Sequence, residues 1–137
     1  MNRAETIEIS AVIPAFNEEE ALPPLLDEVF AVLNELNRPF EVIVIDDGST
    51  DGTPAFLERR RETTPGLRVL TLVPNSGQTA AFEAGFSAAR GEFLITMDAD
   101  GQNDPADIPH MMELTPGVDA VLGVRAKRQD PWSRTFA

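Results

Sequence analysis

The chain has 137 residues, no cysteine and a formal net charge of −12. That is the length of one domain, and 42% hydrophobic with 25% charged residues is the balance of a globular fold, not of a disordered or fibrous chain. Without cysteine there is no disulfide, thiolate metal site or cysteine nucleophile, and the acidic excess speaks against nucleic acid as a partner.

Ile7 to Ile13 is a short apolar, β-branched run closed by Pro14, and it reads as a buried strand. From Glu19 to Asn37 the residues Leu22, Leu25, Leu26, Val29, Phe30, Leu33 and Leu36 recur at three- and four-residue steps. They form one face of an amphipathic helix, with Pro23 and Pro24 in its first turn. Phe40 to Ile45 is a second strand, ended by Asp46-Asp47-Gly48. Ser49 or Asp51 caps a helix that reaches about Thr63, and Pro65-Gly66 stops it. Leu67 to Val73 is a third strand, Thr79 to Ala89 an alanine-rich helix ended by Gly91, and Glu92 to Met97 a fourth strand. A short helix over Pro105 to Leu114 and a fifth strand over Asp119 to Val124 follow.

Continuously apolar strands alternating with helices predict a parallel sheet covered on both faces. With right-handed crossovers this is an α/β, Rossmann-like doubly wound fold, whose ligands bind at the carboxyl ends of the strands. Neither a run of eighteen apolar residues nor a signal-peptide core is present, which predicts a soluble, cytoplasmic chain. Arg125, Lys127, Arg128 and Arg134 gather four of the eleven basic residues near the end, a cluster suited to peripheral contact with an anionic membrane face.

The loop after the fourth strand, MDADGQNDP, carries the most chemistry. Residues two apart in an extended segment point the same way, so Asp98 and Asp100 can face one cation, and Gln102 continues the spacing with a neutral oxygen. Such hard donors suit Mg²⁺ or Mn²⁺. A calcium EF-hand fails, because counting from Asp98 its required glycine and glutamate fall on Asn103 and Pro109. Helix capping or a solvated turn is the competing role for the two carboxylates.

Asp46, Asp47, Ser49 and Asp51 after the second strand suit turn and cap roles first, with acceptance from base and ribose groups as the alternative and Gly48 letting the backbone pass close by. Phe16 after the first strand stacks on a base or sits in the core beneath its loop. Asn75 to Gln78 has a shaping role, and His110 is a surface or packing residue. Arg125 follows the fifth strand, where its guanidinium can reach phosphate oxygens in two-pronged fashion or remain part of a basic tail.

Together, VIPAFNEEE (Val12–Glu20), VIDDGSTDGT (Val44–Thr53), NSGQTAAFEAG (Asn75–Gly85), ARGEFLITMDADGQNDP (Ala89–Pro105) and GVRAKRQDP (Gly123–Pro131) resemble a family 2 glycosyltransferase. The nearest branch is that of polyprenyl- or dolichyl-phosphate sugar transferases. The resemblance implies a GT-A fold and a metal-dependent, inverting transfer of a sugar from a UDP- or GDP-linked donor, with polyprenyl phosphate as acceptor. It implies that Pro14, Phe16 and Glu18 line the nucleoside pocket and that Ile45 and Asp47 hold base and ribose. Asp98, Ala99 and Asp100 would meet ribose and diphosphate, with Asp98, Asp100 and Gln102 at the metal. Asp100 and Arg125 would act at the reacting phosphates.

The family motif usually has tyrosine where Phe16 stands, so the ring can still stack but offers no hydroxyl to a ligand, and Pro74 replaces a basic or aromatic residue. Members continue well past Ala137, so residues 1–137 are expected to be a single domain holding the donor half. A non-catalytic nucleotide- or partner-binding fragment is the alternative. A sugar-phosphate nucleotidyltransferase needs a basic glycine-rich loop after the first strand, where this chain is acidic.

Overall fold

A computed structural model describes residues 6–100 and 104–117. Four strands, β1 (Ile9–Ala15), β2 (Phe40–Asp46), β3 (Leu67–Thr71) and β4 (Phe93–Thr96), form one parallel sheet in the order β3-β2-β1-β4. The helices between them are α1 (Leu22–Glu35), α2 (Thr53–Thr63) and α3 (Gln78–Ala88); after β4 comes a 3₁₀ turn (Pro105–Asp107) and then α4 (Ile108–Glu113). Successive strands step outward from β1 to β3, and the connection through α3 then returns across the sheet to place β4 on the other side of β1. That reversal makes the gap beyond the carboxyl ends of β1 and β4 the topological switch point, where open α/β sheets bind ligands.

Strand alternation sorts the core into two layers. Ile9, Ala11, Ile13, Val42 and Val44 pack against α1, α2 and α4, through Leu22, Leu26, Val29, Leu33, Leu57, Ile108 and Met112. Val12, Ile43 and Ile45 face the opposite way, onto Ala81 of α3. The apolar stripe of α1 is buried as its spacing predicts, each large side chain worth roughly 1.5–3 kcal/mol. Its prolines occupy the first turn, where no intrahelical donor is needed, and Asn37 in the left-handed region (φ 55) turns the chain out of it. α3 is short of large apolar residues and instead comes close. A Cβ on Gly85 would stand 2.8 Å from Ile45 Cδ1, so only glycine permits this separation between helix and sheet.

Several predicted limits shift. β1 does not close at Pro14 but continues to Ala15, with Pro14 in register with Ile45. Odd-numbered residues of β1 bond to β2, as in Asp47 N–H to Ala15 C=O, while Glu8 and Val12 carbonyls accept from Phe93 and Met97 on the β4 side. The missing donor of Pro14 therefore faces the side where β4 has already ended, so a central strand tolerates it. β3 stops at Thr71 before the predicted Val73. The N-cap of α2 is Gly52 and not Ser49 or Asp51; Asp51, one residue earlier, still supports the first turn, its Oδ1 accepting from Thr53 N–H at 2.9 Å. The predicted fifth strand, Gln102, Arg125 and the basic cluster lie outside the described residues. Among those described, no helix is long and apolar enough to cross a membrane.

Candidate active site

Four loops meet at the carboxyl edge of the sheet, and side chains tie them in pairs. Asn17, also left-handed (φ 54), joins the loop after β1 to the loop after β2. Its N–H donates to Ser49 Oγ at 2.9 Å, and its Oδ1 accepts from the N–H groups of Thr50 (2.8 Å) and Asp51 (3.2 Å). Glu18 N–H donates to the buried Thr53 hydroxyl at 2.9 Å, and Glu19 Oε1 accepts from Gly52 N–H at 2.9 Å. Phe16, on the tip of this pair, is 45% exposed, which removes the core alternative and leaves its ring face available.

Asp47 ties the loop after β2 to the loop after β3. Its carboxylate is buried and accepts from Ser76 N–H (2.7 Å), Gly77 N–H (2.8 Å) and Asn75 Nδ2 (3.0 Å), while Asn75 Nδ2 also donates to the Asp47 carbonyl. Gly77 is the residue that opens α3. A carboxylate just past β2 therefore holds the turn that leads into a helix with no side-chain cap of its own, next to its positive end. Gly48 permits the approach: it sits at φ 76, and a Cβ there would be 2.8 Å from Asn75 N.

The third tie reaches the acidic loop after β4. Gln78 Nε2 donates to Asp98 Oδ1 at 2.9 Å. Here the geometry corrects one expectation. Asp98 to Asp100 is not an extended segment: the chain turns at Ala99 and Asp100, with Ala99 buried and Asp100 exposed, so strand alternation is not what relates the two carboxylates. Instead, Asp98 is linked to the rest of the site through Gln78, and Asp100 acts on Glu18 through its charge. Partial burial, and then the negative charges of Asp100 and Asp51, push the Glu18 carboxyl above its ordinary range.

Oxygen-only donors with surplus negative charge match a hard divalent cation. Among the described residues no three of His, Cys, Asp and Glu cluster closely enough to enclose an ion. In nucleotide sites Mg²⁺ is usually held by one or two carboxylates together with a ligand's phosphates, a set to which carboxylates such as Asp98 and Asp100 are chemically suited.

Of the remaining predicted residues, Pro14 and Ile45 are buried, Ile45 fully and against Ala81 of α3. His110 is exposed, 3.9 Å from Glu113, a surface residue as expected. Asn17, Asn75 and Gln78 bind the loops together, beyond the shaping role read from Asn75 to Gln78. The pattern that marks them is a polar amide placed just past an apolar strand, or opening the helix that follows.

The family model for glycosyl transferase family 2 matches residues 10–136. The chain is 43% identical over 141 residues to undecaprenyl-phosphate 4-deoxy-4-formamido-L-arabinose transferase of Serratia proteamaculans, and it spans all of itself but only 43% of that relative. Among solved structures it is similar to a mannosyltransferase from Pyrobaculum calidifontis in complex with GDP-Man and Mn²⁺ (TM-score 0.64, 27% identity, 88% of this chain and 35% of that one). It is also similar to residues 1–349 of S. aureus TarS in complex with UDP (TM-score 0.63, 27% identity, 88% of this chain and 36% of that one). With the parallel sheet, its switch point and the loops gathered there, these matches establish that the chain belongs to glycosyl transferase family 2 and has the α/β GT-A fold.

Proposed function

We propose that residues 1–137 form a single domain that binds the nucleotide-sugar donor of a transferase acting on a polyprenyl phosphate. The observation that carries this reading is the Asp47–Gly77–Gln78–Asp98 chain of contacts, which brings the acidic loops of β2 and β4 to one edge. The similarity to proteins solved with UDP and with GDP-Man and Mn²⁺, and to a relative named for undecaprenyl phosphate, supports the choice of ligands.

In this reading Phe16 stacks on the base, with Pro14 and Ile45 lining the nucleoside pocket. Glu18 and Asp47 border the nucleoside, and Asp98, Ala99 and Asp100 face ribose and diphosphate. Asp98, Asp100 and Gln102 hold Mg²⁺ or Mn²⁺, and Arg125 pairs with phosphate. A divalent ion held there would supply Lewis-acid stabilisation of the charge that collects on the leaving β-phosphate. An oxygen of the acceptor phosphate forms the new bond to the anomeric carbon from the opposite side. The old carbon–oxygen bond breaks, and its electron pair leaves with the nucleoside diphosphate, inverting the centre. A phosphate acceptor is already ionised near neutral pH, so the chain need only position it, without a strong general base. Cytoplasmic residence, with the basic residues near the C-terminus against the inner membrane face, belongs to the same reading.

Calorimetric titration with UDP and with GDP, each with and without Mn²⁺, tests the proposal. Mn²⁺-dependent binding of one nucleotide is expected. A folded chain that binds neither overturns the donor-site reading. Transfer to polyprenyl phosphate by this chain would separate a working enzyme from a fragment that only binds.

A further inference from the structure

Gln78 is the first residue of α3, and its backbone is held from two sides. Behind it, Ser76 and Gly77 donate their N–H groups to the buried Asp47 carboxylate. Ahead of it, Gly85 presses the helix onto Val12 and Ile45 at a separation no other residue type would allow. A helix seated so closely cannot slide without opening the core. The Gln78 side chain therefore holds Asp98 at a place set by β2, through a 2.9 Å bond spanning 20 residues of sequence. The donor type matters as well. A lysine or arginine in this position would hold the carboxylate and also neutralise it. A carboxamide orients it without adding a positive charge of its own.

We propose that Gln78 is a positioning residue, orienting the Asp98 carboxylate toward a divalent cation from the loop that Asp47 anchors. The inference rests on the donor-site reading given above. It also makes the loop after β3 a part of the binding apparatus, linking the acidic ends of β2 and β4.

The test uses the whole chain with Gln78→Ala and Gln78→Met, the second keeping length and helix-forming character should the first fail to fold. Affinity is measured for Mn²⁺ alone, from the paramagnetic resonance signal of the free ion, and for UDP and GDP with and without Mn²⁺. Mn²⁺-dependent binding is expected to weaken about tenfold in both variants, as for other residues that orient a metal ligand, with metal-free nucleotide affinity and the thermal midpoint unchanged. Equal Mn²⁺ dependence in wild type and variants overturns the role of Gln78 and leaves the donor site standing. An equal loss with and without Mn²⁺ also overturns it, since that marks a purely structural contact. Gln78-dependent binding of Mn²⁺ without binding of either nucleotide supports the inference and overturns the nucleotide reading. A wild-type chain that takes up neither ion nor nucleotide overturns both.

Discussion

Glu41 near the amino end of β2 and Asp47 just past its carboxyl end are both buried carboxylates, and the two are satisfied in opposite ways. At the amino end, Glu41 accepts from Ser10 Oγ (2.7 Å), Arg90 N–H (2.8 Å) and Arg68 Nη1 (2.7 Å), and Arg68 Nη1 also donates to Ala88 C=O at the close of α3. At the carboxyl end, Asp47 accepts from two backbone N–H groups and one carboxamide at the opening of the same helix. One strand thus clamps α3 at both termini, with an arginine beside its negative end and a carboxylate at its positive end. The amino end neutralises its charge internally and is complete as it stands. The donors to Asp47 among the described residues are neutral, so its charge meets no cation there, and Glu18, Asp51, Asp98 and Asp100 gather further carboxylates at the same edge.

Breaking the amino-end clamp is the largest perturbation available. Arg68→Ala strands the Glu41 charge in the core and is expected to lower stability by about 3 kcal/mol, read by chemical denaturation. At the other end, Asp47→Asn puts an NH2 donor where a carboxylate oxygen now accepts, facing donors that already fill the site. It is expected to remove about 2 kcal/mol, together with hydrogen-exchange protection of the Ser76 and Gly77 amides, which Arg68→Ala leaves in place.

Acid separates the ends without mutation. Burial alone would raise Glu41, but the hydrogen bonds from Ser10, Arg90 and Arg68, with the Arg68 charge, outweigh it and hold the carboxyl below its ordinary value of 4.5. A carboxyl lowered by folding contributes stability that is fully present above 4.5 and lost as pH falls through its folded value. Stability should therefore decline below about pH 4.5 in the wild type, and less steeply in Glu41→Gln, as followed by denaturation at stepped pH. The smallest stability effect is expected at the exposed Asp100. Asp100→Asn should change stability by less than about 0.5 kcal/mol yet abolish Mn²⁺-dependent nucleotide binding by calorimetry. A large loss of stability there would erase the distinction between the ends.

The strands and helices are legible because burial imposes periods on the residues. Val42 to Ile45 is buried on both faces and reads as an unbroken apolar run, and the α1 stripe reads at three and four steps. Pro14 misleads, since its tolerance depends on where β4 ends, a fact of another strand. The candidate carboxylates are legible as acids past strand ends. Their individual tasks are not, because Asp46 and Asp47 are adjacent and chemically alike. Asp46 Oδ1 accepts from Ser49 N–H within its own turn, while Asp47 reaches across to residues 28 to 30 positions away.

Sequence order alone thus specifies the α/β class, the parallel sheet and the edge where ligands meet it, because hydrophobic periodicity and turn chemistry are local properties of the chain. The partners of Glu41 and Asp47, the turn at Ala99 and the grip of Gln78 on Asp98 exist only once α3 lies across the sheet. Hydrogen bonds between distant residues depend on positions in space, and those are set by the packing of Gly85 against Val12 and Ile45.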